Sequence, residues 1–258
     1  MLHANELVDT PLAELEQMGL ADLRRNQAAL KEACAKFAPG RTLKQCTDKA
    51  AASKPANNDT VGEARRQLVD LKRFVEEKGI ATIPGTEEAR VKQSPPYNSQ
   101  NSAYIDPTPP FDPAMPAYYN VAAPDPTWSK AKQLAYVAAK SDLLFTSVHE
   151  VWPGHFLQFL HSNRSTSPIA KLYVGYAFAE GWAHYAEEMM WEAGLGNGDP
   201  EIQIGMLSNA LKRNARFLSA IGLHTKGMTL EESRRLFLDE GYQNEGESEQ
   251  QADRKSVV

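Results

Sequence analysis

The sequence predicts a mainly α fold with a small β element, and three observations carry that prediction. Apolar residues recur at helical spacing through the first 79 residues and again from about 129 to 240. Ten of the 16 prolines crowd between Pro84 and Pro126. Proline removes a backbone donor and clashes with the preceding turn, so long helices are excluded from that tract. Tyr97, Tyr104, Phe111, Tyr118, Tyr119 and Trp128 nevertheless fall in or beside it, and disordered tracts are poor in aromatics. An ordered coil over a helical core is therefore expected. The whole of 1–258 reads as one mostly helical region: a helical hairpin at 1–79, a coil with short strands at 80–128, and helices at 129–240.

Within the hairpin, Thr10 before Pro11 marks a helix start, with the hydroxyl as cap and the proline in the first turn. Leu12, Leu15, Met18, Leu23 and Leu30 then repeat at roughly helical spacing to about Phe37. The loop-rich stretch 38–59 has room for a short helix at 43–52. Thr60 and Glu63 have capping-box spacing, and Gly79 stops the helix over 61–78. Short strands are expected at 80–83, 90–93 and 118–121. Tyr118, Tyr119 and Asn120 make a candidate edge strand for a peptide backbone. Helices follow at 129–162, 169–193, 200–223 and 230–240, the last opened by Thr229 and Glu232 at capping-box spacing.

With 42% hydrophobic and 24% charged residues, the composition supports a sizeable core. The formal charge is −5, and no Lys/Arg cluster interleaves with aromatics, so no nucleic-acid partner is expected. No run of about 18 apolar residues occurs, so no membrane span is expected. The N-terminus has no basic segment followed by an apolar core, so no signal peptide is expected in this chain. Cys34 and Cys46 fit either two independent thiols or a local disulfide. The second reading leans towards an exported, periplasmic or extracellular protein. The sequence leaves localisation otherwise open, and oligomeric state with it.

The chemistry concentrates at 147–158 (SVHEVWPGHFLQ). It opens like the helical H-E-x-x-H of zinc peptidases, in which two imidazoles share a face and a glutamate stands beside them. Imidazole nitrogen suits zinc, and a neighbouring carboxylate can take a proton from activated water. Here His155 follows His149 by six residues, not four. Six residues leave side chains about 120° apart on a straight helix. A break between them is required, and Pro153-Gly154 supplies one.

A further ligand must come from elsewhere. The stretch 173–191 (YVGYAFAEGWAHYAEEMMW) is apolar nearly all round, which predicts a buried helix. Glu180, His184 and Glu187 share one face of it. A buried carboxylate usually meets a cation or a hydrogen-bonding partner. Glu180 and His184 both remain possible ligands on spacing, and Glu187 is a candidate for orienting an imidazole.

The pattern at His149–Gln158, followed by Glu-Gly-Trp-Ala-x-Tyr-x-Glu at 180–187, resembles a bacterial family labelled DUF885. Residues 216–228 (RFLSAIGLHTKGM) resemble the segment that follows in that family. Its members look like gluzincin-type zinc metallopeptidases. The resemblance implies a helical zincin-like core with Zn2+ held by His149, His155 and Glu180, and with Glu150 as the catalytic base. It also implies that the chain is a catalytic-core fragment, truncated at both ends.

The expected reaction is hydrolysis of peptide bonds by metal-activated water, with Glu150 as proton carrier. His224, at a predicted helix end, is a candidate hydrogen-bond donor to the oxyanion; the alternative is a histidine satisfying free carbonyls. Two other functional readings remain. One is a helical peptide-binding or structural protein that keeps the motif without turnover. The other is a zinc amidohydrolase for non-peptide amides.

Overall fold

The computed structural model describes residues 2–98 and 101–256. In chain order the helices are α1 (Leu2–Glu6), α2 (Leu12–Phe37), α3 (Leu43–Ala51), α4 (Thr60–Lys78), α5 (Lys130–Tyr136), α6 (Lys140–Glu150), α7 (His155–Asn163), α8 (Pro168–Leu172), α9 (Tyr176–Glu192), α10 (Pro200–Thr225), α11 (Leu230–Arg235) and α12 (Glu245–Ser256). Three strands, β1 (Ala89–Gln93), β2 (Ala103–Asp106) and β3 (Ala117–Val121), fall in the proline-rich tract. The fold is mainly α with a small β element, as expected.

The chain forms two compact units that interleave along the sequence. The first takes the N-terminal residues to Leu7, Lys54–Asp125 and Leu143–Asn197; the second takes Val8–Ser53, Pro126–Asp142 and the stretch from Gly198 onwards.

In the second unit α2 and α10 pack along each other. Gly19 permits the approach, because a Cβ there would stand 2.6 Å from the Phe217 ring. Between the helices, Asn26 Nδ2 donates to Asn214 Oδ1 at 2.9 Å and Asn214 Nδ2 to Asp22 Oδ2 at 2.8 Å. Cys34 and Cys46 are joined as a disulfide that ties α2 to α3. Of the two readings of these cysteines, the structure takes the local disulfide. The capping box expected at Thr229 and Glu232 is formed, and an unforeseen one opens α3 at Thr42 and Gln45. At α2 the cap expected of Thr10 is not made: the helix opens from Pro11, whose carbonyl accepts from Glu14 and Leu15, without a side-chain cap.

In the first unit α4 opens on Asp59, whose carboxylate accepts from Gly62 N at 2.8 Å, instead of the Thr60–Glu63 box. Gly79 ends it in the left-handed region, with φ 61°. The sheet has the order β1-β3-β2, with β1 parallel and β2 antiparallel to β3. This corrects the reading of Tyr118, Tyr119 and Asn120 as an edge. They lie on the central strand, whose backbone is already paired on both sides. The strand expected at 80–83 does not form, and the carbonyl of Thr82 instead accepts from His161 Nε2 at 2.9 Å.

The helix expected at 129–162 is three helices. One break falls at residues 137–139, where Val-Ala-Ala gives no warning; the other is the Pro-Gly step. The helix expected at 169–193 is two, with α9 opening from Gly175.

Candidate metal centre

α6 stops at Glu150 and α7 starts at His155, so the four residues between them form the break. Gly154 N donates to Val148 O at 3.0 Å, six residues back. A Cβ on Gly154 would stand 1.8 Å from His149 O, so only glycine lets the chain fold back this tightly. Trp152 and Phe156 anchor the step in the core: both are at most 1% exposed, with their rings edge-to-face at 5.1 Å.

The fold-back brings the two histidines together, as the Pro-Gly spacing requires. Their ring centroids are 4.8 Å apart and the planes nearly perpendicular, at 86°. From α9, Glu180 Oε2 lies 3.5 Å from His149 Nε2, and Glu180 Oε1 lies 3.7 Å from His155 Nε2. One ligand atom from each of the three falls within 4.8 Å of the others. Tetrahedral zinc bonds of about 2.0–2.1 Å place ligand atoms roughly 3.4 Å apart, so the Glu180 separations of 3.5 and 3.7 Å from the two imidazoles suit a zinc ion. Of the two α9 side chains that spacing left open, Glu180 belongs to this group. His184 is not in the group.

Glu187 reaches His149 from the other side. Its Oε1 is 2.9 Å from His149 Nδ1, and its side chain is 2% exposed. A carboxylate that accepts the Nδ1–H leaves the Nε2 lone pair directed at the centre. The argument from a buried carboxylate therefore attaches to Glu187. Glu180 is 60% exposed and needs no such account. The helix expected to be buried all round is buried on one face only, with Tyr176, Phe178 and Tyr185 exposed.

Glu150, the last residue of α6, is 9% exposed. Beneath α6 the fully buried Tyr119 hydroxyl lies 3.3 Å from Ser147 Oγ, which donates to Gln67 Oε1 at 3.2 Å. Burial drives the Tyr119 phenol above its ordinary range. The Ser147 hydrogen bond pulls it back, and the charge of Glu150 pushes it further up. Tyr119 therefore stays neutral across the physiological range.

The sequence reading missed one contact. Trp182 Nε1 donates to Pro153 O at 2.9 Å, joining α9 to the break itself. The Glu-Gly-Trp of the second motif was the available signal. On a helical wheel, however, Trp182 lies about 160° from Glu180, which hid any shared purpose. His224 is exposed in the last turn of α10, within the second unit, whereas the histidine pair, Glu150, Glu180 and Glu187 all belong to the first.

The profile of DUF885, a bacterial protein family of unknown function, matches residues 1–258. The chain belongs to the DUF885 family. Among solved structures it is similar to a candidate lipoprotein of unknown function from Shewanella oneidensis, at 28% identity and a TM-score of 0.85. All of this chain and 48% of that one are covered. A candidate lipoprotein from Colwellia psychrerythraea shares the fold at 20% identity and a TM-score of 0.79, with 99% of this chain and 44% of that one covered. The chain thus spans about half the length of the solved structures it matches. No curated protein matches it. Among the described residues of this DUF885 chain, no helix is long and apolar enough to cross a membrane.

Proposed function

We propose that this chain carries the centre of a zinc-dependent hydrolase of peptide bonds. The observation that carries the reading is the convergence of His149, His155 and Glu180 across a helix break, with Glu187 holding the far nitrogen of His149. His149, His155 and Glu180 would hold the ion. Zinc supplies Lewis acidity there, acidifying water towards neutral pH and polarising a carbonyl. Glu150 takes the proton from water and passes it to the leaving amine. Its place directly after His149, at a helix end with little solvent, favours a carboxylate poised for that exchange. Tyr119, neutral and fixed by Ser147, lends the region a polar contact that does not compete for the proton.

An exported location accompanies the proposal. The disulfide favours an oxidising compartment, and the structural neighbour from Shewanella oneidensis is a candidate lipoprotein.

The test is hydrolysis of a mixed peptide library by zinc-loaded wild type and Glu150→Gln. The reading expects cleavage by wild type, and a loss of about 10²–10⁴-fold in the variant with zinc retained. Equal cleavage by both proteins would remove Glu150 from its role. A zinc-loaded protein that cleaves only non-peptide amides would move the proposal to that substrate class.

A further inference from the structure

The histidine pair meets only because the four residues between α6 and α7 keep a non-helical path. Backbone bonds hold its entry: Val151 N and Trp152 N both donate to Ser147 O, at 3.0 and 3.3 Å. Pro153 has no N–H to give, and Gly154 spends its own on Val148 O. In a continuous helix the carbonyl of Pro153 would accept from Leu157, four residues on. Leu157 N instead donates to Val151 O, at 3.4 Å. The carbonyl at the middle of the step is thus left to a side chain, and Trp182 takes it at 2.9 Å.

We infer that Trp182 is a positioning residue of the metal centre: its indole N–H, held on Pro153 O, fixes the step that brings His155 opposite His149 and Glu180. The inference rests on the zinc reading above. α9 then holds this segment at three points. Glu187 fixes His149 before the break, Trp182 fixes Pro153 within it, and Glu180 faces both rings. Glu187 steadies only the first histidine. Without the Trp182 bond the Pro153 carbonyl loses its directional restraint, and the α7 side of the step, His155 with it, keeps only the backbone bonds from Gly154 and Leu157. An aromatic ring alone packs against a carbonyl without aiming it; the N–H supplies the direction. The loss should therefore fall on ligand geometry more than on folding.

The experiment compares the full chain with Trp182→Phe, which keeps the ring and removes the donor. Zinc affinity is measured by chelator competition, and ligand geometry by the visible spectrum with cobalt(II) in place of zinc. Trp182→Phe should weaken zinc about 10–100-fold, as loss of a contact behind the ligands does, and should shift the cobalt bands. Leu71→Ala, in the buried face of α4, serves as the control. It should lower Tm more than Trp182→Phe and leave the cobalt spectrum at its wild-type form. Unchanged affinity and spectrum in Trp182→Phe would overturn the inference and leave the zinc reading standing. A wild type that binds neither metal takes both down. Should Trp182→Phe not fold, exchange of the Trp182 indole proton in wild type decides: at least about tenfold slower with zinc supports the coupling, and no change overturns it.

Discussion

The two units bury polar groups in different ways. In the second, Asn26, Asn214 and Asp22 satisfy one another between α2 and α10, and a disulfide ties α2 to α3. Its two longest helices, α2 and α10, have 26 residues each and follow the apolar period of the sequence. In the first, the buried polar groups include His149, His155, Glu150 and Glu187, and the helical path is broken between the two histidines. There Glu187 Oε1 lies 2.9 Å from Nδ1 of His149, and Nε2 of the same ring lies 3.5 Å from an exposed carboxylate. Local regularity is given up where titratable groups converge, the usual place for such exceptions.

The largest effect that would sharpen this contrast is the loss of hydrolysis in Glu150→Gln, about 10²–10⁴-fold with folding unchanged. Next comes Gly154→Ala. A methyl group 1.8 Å from a backbone carbonyl forces the step apart, at a cost of about 3 kcal/mol in unfolding free energy. Zinc binding should fail with it, and a variant that folds and binds like wild type would break the account of the step. Removing the disulfide by Cys34→Ser and Cys46→Ser should cost a similar amount, about 3 kcal/mol for a loop of this size. The expected difference is that zinc affinity survives, because the tether lies in the other unit. Loss of zinc in that variant would erase the distinction drawn here.

Smaller changes follow. Glu187→Gln should weaken zinc about tenfold without abolishing it. The smallest concerns the coil of the first unit. Burial raises the Glu87 carboxyl, but the hydrogen bond and charge of Arg164 outweigh it and hold the group below its ordinary value. A folded value below the unfolded one means the contribution is present above the ordinary carboxyl range and is lost as pH falls through the folded value. The pair is partly exposed, so Glu87→Gln should flatten the acid limb of the stability profile by no more than about 0.5 kcal/mol. An unchanged acid limb would show that the pair contributes nothing.

Much of this was legible in the sequence, for identifiable reasons. The helical periods of α2, α4 and α10, the stop at Gly79 and the Thr229–Glu232 cap are local signals, and the structure keeps them. The Pro-Gly step was legible because two histidines six apart cannot share a centre without it. Less accessible were features set by tertiary contact. The break at 137–139 has no breaker residue, and β2 lies between prolines with little alternation to reveal it. Asp59 displaced Thr60 as the cap because both carry a suitable oxygen at neighbouring positions. Tyr119 sits on a central strand rather than an edge because β1 and β2 pair with β3 from opposite sides. The Trp182 contact was hidden because a wheel records directions from an axis and not the reach of an indole.

The most direct test of the central claim is zinc per chain, by elemental analysis after exhaustive dialysis, in wild type, His155→Ala and Glu180→Ala. A centre built across the break and α9 predicts about one zinc in wild type and its loss in both folded variants. A folded wild type without zinc, or variants that keep it, would contradict the account.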